Sequence, residues 1–445
     1  MTAAGVGEEE EYAASIGRWP VRKTLHLKVF RNSQWCRLCL SRAAGNVSPF
    51  GERSGRKGKC TVKNSTITVD PGLEGVVVGE TALSRVAGEE GRLTYRGYDI
   101  ADLAANASFE EVAYLLWHGR LPNASEFTDL RGRMSAYRPL PEPLLASLRS
   151  VPLDAWPMDV LRSVVSSIAL HVPHRADGTH VSDADTAMRL TATSATAVAA
   201  WDRLRRGLEP VAPRTDLSHA ANFLYMKNGS EPSEAAARAL DTYFVLLADH
   251  GFNASTFAAR VTASTWSDMY AAATAAVATL EGDLHGGAPG KVMKMILDIG
   301  TPDRAEAYVR ALVDKGGRIM GIGHREYKVR DPRAEPLEAM ARNLGQSSGT
   351  PQWYDVAHTL EDIAVRVLDE KKPGRRLYAN VEFYTAPTLY ALGIEPDTFT
   401  CMFACSRMAG WTAHVMEQML NNRLIRPQVK YTGLMGLPWV PMKNR

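Results

Sequence analysis

Apolar residues recur at helical spacing along most of this chain, broken by short polar stretches that carry glycine or proline. The first clear case follows Ser108-Phe109-Glu110-Glu111, a capping-box spelling, after which Val112, Leu115 and Leu116 line one helical face. The same period predicts helices over residues 109–118, 124–137, 158–170, 183–207, 215–227 and 232–249. A single long helix is expected over 256–280, with alanines that permit close packing, and further helices over 290–299, 303–315, 335–345, 353–370 and 397–420. Period-two signals are confined to the start of this region. Residues 75–83 are valine-rich, Gly88-Glu89-Glu90-Gly91 reads as a turn, and residues 92–95 are expected to pair back as a short hairpin. No internal repeat is visible. The pattern implies an all-α protein with a short N-terminal β-hairpin.

Length and charge refine that picture. At 445 residues the chain is long enough for two or three domains, and 45% hydrophobic with 23% charged residues is ordinary for a globular protein. The net charge of +3 is unevenly spread: residues 1–65 hold twelve Lys and Arg against five acids, leaving the remainder mildly acidic. That segment, with its Glu8 to Glu11 run and little hydrophobic periodicity, is expected to be a disordered basic extension. It is read as a flexible tail or an upstream extension of the reading frame rather than a transit peptide, because the early glutamates argue against one. Five cysteines are too few and too unevenly placed for a disulfide framework, so a reducing, cytoplasmic setting is expected. Cys36 and Cys39 form a C-x-x-C with Cys60 nearby, but no fourth ligand follows at zinc spacing, so no metal is expected. Nowhere do eighteen apolar residues run together, and the basic leader lacks regular aromatic interleaving, so neither membrane nor nucleic acid is an expected partner.

Candidate chemistry concentrates in the stretch from Gly321 to Arg333, which packs two glycines, His324, Lys328 and three arginines into thirteen residues closed by Pro332. Glycines let backbone approach a ligand and fixed positive charge suits carboxylate or phosphate, although a solvated basic turn fits these residues alone equally well. His250 lies at a break between two apolar helices, where a satisfied core or cap histidine is the commoner outcome. His285 precedes a helix whose free N–H groups and dipole would hold an imidazole neutral. Arg407 is embedded in a helix apolar on nearly every side, and so needs an anion: an internal carboxylate or a bound one.

Read together, Gly282-Asp283-Leu284-His285-Gly286-Gly287-Ala288, the Gly321 to Arg333 loop and Tyr378-Ala379-Asn380-Val381-Glu382-Phe383-Tyr384 resemble citrate synthases of the shorter bacterial form, over roughly residues 72–432. The resemblance implies the two-domain helical fold of that family: a large domain over 66–287 and 391–445, and a small one over 288–390 that closes over the first substrate. It implies condensation of acetyl-CoA, a co-substrate rather than a resident cofactor, with oxaloacetate. Glu382 is then the base at the acyl methyl, His285 the donor to the thioester oxygen and His324 the acid at the ketone. His250, Arg333, Arg407 and Arg426 would hold oxaloacetate, Arg426 from the other subunit of a homodimer, while Arg318, Gly321, Gly323 and Lys328 would meet coenzyme A. Three departures stand out. Glu382 replaces the usual aspartate, Pro289 stands where asparagine is common, and Trp156 has no physical account. An added methylene moves a carboxylate by about 1 Å, enough to cost on the order of a hundredfold in rate unless the backbone compensates, as the persistence of all three arginines and all three histidines leads us to expect. Two alternatives remain: 2-methylcitrate synthesis from propionyl-CoA, and a catalytically silent acyl-CoA or dicarboxylate sensor. A metal hydrolase is disfavoured, since no H-E-x-x-H spacing is present.

Overall fold

A computed structural model of the chain describes residues 70–172, 182–371, 373–374 and 377–445. The basic leader and its three cysteines lie outside the described residues. A three-stranded antiparallel sheet comes first, β1 (Ser84–Ala87), β2 (Arg92–Tyr95) and β3 (Tyr98–Asp99), in the order β1-β2-β3. Sixteen α-helices follow among the described residues: α1 (Ile100–Asn106), α2 (Phe109–His118), α3 (Ala124–Tyr137), α4 (Glu142–Arg149), α5 (Pro157–Ile168), α6 (Ala184–Arg205), α7 (His219–Asn228) and α8 (Glu234–Leu247). The second half holds α9 (Ala254–Ser264), α10 (Met269–Leu280), α11 (Ala288–Ile299), α12 (Ala305–Asp314), α13 (Ala334–Ser348), α14 (Gln352–Lys371), α15 (Val381–Ala391) and α16 (Phe399–Leu420).

The capping signal at Ser108 is realised in full: its side chain accepts from Glu111 N–H, and Glu111 reaches back to the Ser108 N–H. Two expectations need correction. The first strand lies at Ser84–Ala87, not 75–83, paired in the register Ser84 with Tyr95 and Ala87 with Arg92. Leu93 and Tyr95 alternate inward on β2 and are fully buried, whereas Val76, Val77 and Val78 run without alternation and stay exposed. Strand propensity without a face to bury made no ladder there. The long helix over 256–280 is in fact two, because Trp266 adopts a left-handed backbone and Asp268 caps α10 by accepting from Ala271 N–H. The buried alanines, Ala259, Ala263, Ala272, Ala273 and Ala276, pack the resulting pair together.

α16 is the buried axis, packed against α6, α8, α9 and α2, with Phe399, Met402, Cys405, Met408 and Trp411 inaccessible or nearly so. Gly410 permits its closest approach. A Cβ there would sit 2.3 Å from the Ala248 carbonyl, to which Gly410 N–H instead donates at 3.1 Å. The corner after α8, residues 248–251, is thereby held against the middle of α16. Beyond α16, residues 421–441 carry no helix or strand and expose Leu424, Val429, Tyr431, Leu434, Leu437 and Trp439. Among the described residues no helix is long and apolar enough to cross a membrane.

Candidate active site

Three elements converge on one region: the corner after α8, the loop before α13 and the N-terminus of α15. Gly321 and Gly323 take left-handed backbone, φ 79° and 94°, and the loop is stitched to the segment before α15. Gly323 N–H donates to Tyr378 O at 2.7 Å and Asn380 N–H to Gly321 O at 2.9 Å. A Cβ at Gly321 would lie 2.9 Å from the Phe383 ring, so glycine is required for this approach. Asn380 caps α15 and donates its amide to Gly323 O at 2.9 Å, fixing Glu382 in the helix's first turn.

His250, His324 and Tyr327 form one aromatic cluster. Ring centroids are 5.5 Å apart for His250 and His324 and 4.7 Å for His324 and Tyr327, and the Tyr327 hydroxyl lies 3.2 Å from His250 Nε2. The Nδ1 of His324 accepts from the backbone N–H groups of Glu326 and Tyr327 at 2.9 and 3.1 Å, which assigns its proton to Nε2. Burial, reinforced by Arg333, lowers its pKa to about 4, so the ring is a neutral donor. His250 is also driven well below the usual imidazole value, by burial and by the fields of Arg333 and Arg407.

His285 is neutral for a different reason from the one expected. Its pKa falls to about 4 through burial and then Arg407, and its Nε2 accepts from Ser255 N–H at 3.3 Å, with Ser255 Oγ at 2.8 Å. The ring thus meets the N-terminus of α9, not that of α11, and the free N–H is Nδ1.

Arg333 and Arg407 are both buried. Arg333 donates bidentately to Asp331, Nε and Nη2 at 2.9 and 2.8 Å, and Asp331 also accepts from Val381 N–H at 3.2 Å. Arg407 donates Nε to Leu247 O at 2.6 Å and lies over the Phe403 ring, with no carboxylate of the described residues within ion-pair distance. Of the two anions open to Arg407 on sequence grounds, the internal one is not in contact: Asp249 supports the guanidinium's charge through its field without forming an ion pair. Glu382 feels both guanidiniums, yet burial outweighs them and raises its carboxyl to about 7.

The remaining candidates stand apart from this cluster. Arg318 and Lys328 are exposed, and Arg426 is exposed on the irregular tail with no ion pair among the described residues. Asp331, Tyr327 and Ser255 escaped sequence reasoning. For Asp331 the signal was its spacing two residues before Arg333, which lets one loop supply both charges.

A helical scaffold with buried guanidiniums, neutral imidazoles and a carboxyl near neutrality defines an enzyme that holds an anionic substrate and moves protons beside it. The family model described as "Citrate synthase, C-terminal domain" matches residues 72–428. The chain is 45% identical to the citrate synthase of Haloferax volcanii over 380 residues, 84% of this chain and 98% of that one. It is 40% identical to the 2-methylcitrate synthase of Mycobacterium tuberculosis over 365 residues, 82% and 91% of the two chains. Among solved structures, the ternary complex of carboxymethyl coenzyme A and oxaloacetate with citrate synthase from Thermoplasma acidophilum superposes with a TM-score of 0.78 at 29% identity, covering 84% of this chain and 99% of that one. The chain belongs to the citrate synthase family, acyltransferases that convert the acyl group to alkyl on transfer.

Proposed function

We propose that this site condenses acetyl-CoA with oxaloacetate to give citrate and coenzyme A, with the work divided as follows. The Glu382 carboxylate removes a methyl proton from the thioester while His285 Nδ1–H donates to the thioester oxygen, stabilising the enol. The enol carbon attacks the oxaloacetate ketone, and His324 Nε2–H supplies the proton to the ketone oxygen. Water then hydrolyses the citryl thioester, releasing citrate and coenzyme A. A carboxyl at about 7 is a stronger base than an ordinary glutamate and still largely ionised slightly above neutrality.

Arg407, Arg333 and His250 receive the substrate carboxylates, and Arg426 completes the pocket from a second copy of the chain. The exposed apolar tail that carries Arg426 supports a homodimer, since a contiguous apolar surface of that kind is uncommon on a monomer. Gly321 and Gly323, with Arg318 and Lys328, meet coenzyme A. Residues 288–390 act as a small domain that closes on a larger one over 66–287 and 391–445 once oxaloacetate is bound, which excludes water from the site. The free thiols Cys401 and Cys405 are consistent with a reducing cytoplasm.

The observation that carries this division of labour is the pair of imidazoles whose acceptor nitrogens are already occupied, leaving one N–H each for a substrate oxygen. Glu382→Gln is expected to lower kcat by roughly 10²–10⁴-fold while oxaloacetate binding persists. Unchanged turnover would remove Glu382 from the reaction. Propionyl-CoA is the second acyl donor to measure, because a relative of nearly the same identity is a 2-methylcitrate synthase. One methylene is worth only about 1–3 kcal/mol of selectivity, so side-by-side kcat/KM values decide the acyl preference.

A further inference from the structure

Behind the His250 corner lies a chain of buried polar groups that none of the steps above employs. Asp249 and His414 are both 0% exposed. His414 Nε2 is 3.2 and 3.3 Å from the two Asp249 carboxylate oxygens, and its Nδ1 lies 3.0 Å from Arg260 Nη1. A guanidinium has no acceptor, so Nδ1 must accept and Nε2 must donate: the ring is held as the Nε2–H tautomer, with that N–H donating to the Asp249 carboxylate. The outer end is anchored as well. Arg260 also donates to Glu417 at 2.6 Å and to Gln418 at 3.1 Å, and Glu417 accepts from Ala82 N–H at 2.8 Å.

On the inner side Asp249 receives the Ser84 hydroxyl at 2.5 Å and Gly251 N–H at 3.2 Å, and Ser84 Oγ also accepts from Gly251 N–H at 2.9 Å. The Tyr95 hydroxyl donates to Asp249 O at 2.9 Å. The residues on either side of His250 are thus held by the Asp249 carboxylate, which takes Gly251 N–H and the Ser84 hydroxyl, and by Tyr95 on the Asp249 backbone. The hairpin that supplies Ser84 also touches the loop of His324: Lys328 N–H donates to Gly88 O at 3.1 Å, and a Cβ at Gly88 would lie 2.1 Å from Glu326 O.

We propose that Arg260, His414, Asp249 and Ser84 form a positioning relay that fixes His250, and through the hairpin His324, in the orientation that binds oxaloacetate. The proposal rests on the reading of His250 as an oxaloacetate ligand. The relay is polar where an apolar core would be the cheaper filling, and its inner members, Asp249 and Ser84, bond the residues beside His250, whereas its outer member Arg260 lies on α9 more than a turn beyond Ser255. A burial role alone would be met by any side chain of the right volume; a relay needs one acceptor toward Arg260 and one donor toward Asp249.

Glutamine supplies both and leucine neither, so the two variants separate the roles. His414→Leu is expected to raise the KM for oxaloacetate about tenfold or more, with the KM for acetyl-CoA at saturating oxaloacetate within twofold of the parent. His414→Gln should bring the oxaloacetate value back to within about threefold. Ser84→Ala sits at the partly buried sheet end of the relay and serves where His414→Leu does not fold. Its expected effect is an increase of about threefold in the oxaloacetate dissociation constant, read by titration calorimetry without thioester. Equal behaviour of the Leu and Gln variants, a matched rise in both KM values, or an unchanged dissociation constant in Ser84→Ala would each overturn the relay. His250→Ala distinguishes the two levels: if it leaves the oxaloacetate KM unchanged, the reading of His250 falls and takes the relay with it. If it raises that KM while the His414 and Ser84 variants do nothing, the relay alone is wrong.

Discussion

Arg333 and Arg407 share a residue type and a depth, 2% and 1% exposed, yet they are held by different means. Arg333 comes with its own carboxylate, Asp331, from the same loop, and that charge holds its pKa above the ordinary guanidinium value despite burial. Arg407 has a carbonyl and a ring face, and burial brings it down to about 10. One is a completed ion pair that also braces α15 through Val381. The other is a charge that no carboxylate of the described residues contacts, Asp249 acting on it only through its field, and that open contact is what a binding group for an anionic substrate requires.

Unequal stability effects follow from that contrast. Arg333→Met strands Asp331 in the interior and is expected to cost about 3–5 kcal/mol of unfolding free energy, the usual consequence of breaking a buried pair from one side. Arg407→Met removes a charge that no carboxylate contacts and that only the field of Asp249 offsets, so the substrate-free protein is expected to lose less than about 1 kcal/mol or to gain stability. Its oxaloacetate affinity should meanwhile fall by the roughly 2–5 kcal/mol typical of losing one side of a buried charge contact. Denaturant titrations with and without oxaloacetate check both. Equal destabilisation by the two substitutions would dissolve the distinction.

The titrating groups sharpen the comparison at intermediate magnitude. Glu382 holds its proton more tightly when folded, with a pKa raised from 4.5 to about 7, so this group's contribution to stability is present at low pH and lost as pH rises through that window. His285 and His324, lowered from 6.5 to about 4, behave the other way: their contribution is present above 6.5 and lost as pH falls, because the unfolded chain takes up protons first. For catalysis, kcat/KM is expected to climb about tenfold per unit below a single limb near pH 7, with no limb from the imidazoles above pH 5. In Arg407→Met the limb should move to higher pH, since a guanidinium that opposes burial at Glu382 has gone. A limb that stays in place would mean that Arg407 does not reach the carboxyl.

The helices of this fold were legible because their signals are local. Ser108 and Glu111 announce a capping box, and α2 begins where they say. What failed was also local evidence, taken without its context. The valines at 76–78 suggested a strand, but pairing needs a partner and a buried face, and the strand that pairs with Leu93 and Tyr95 begins only at Ser84. The alanine run over 256–280 concealed a stop at Trp266 that only the backbone reveals. At the site, the resemblance named His250, His324, Arg333 and Arg407, which the fold brings together, and Arg318 and Arg426, which lie exposed apart from them. Their arrangement was not legible: nothing in the spacing shows that Ser255 would occupy one imidazole nitrogen of His285, or that Asp331 would pair Arg333 and leave Arg407 alone.

The smallest expected effect tests the other end of the same contrast, a cation that is neither buried nor paired with a carboxylate. Lys328 is exposed, and its ammonium donates to Arg325 O at 2.9 Å, on the loop proposed to meet coenzyme A. A phosphate contact made there works through water and is worth about 0.2–1 kcal/mol, so Lys328→Ala should raise the KM for acetyl-CoA by no more than about fivefold, and leave kcat and the oxaloacetate KM alone. Salt separates this from a buried contact. Because exposed charges are screened within about 10 Å at 0.1 M ionic strength and about 3 Å at 1 M, the effect of Lys328→Ala should shrink toward nothing as salt is raised, whereas the loss in Arg407→Met should persist. Arg318, equally exposed, should add to Lys328 at low salt in the double variant. A Lys328 effect that survives 1 M salt would place that ammonium against a phosphate in an enclosed site, and the division into a dry dicarboxylate side and a wet nucleotide side would have to be redrawn.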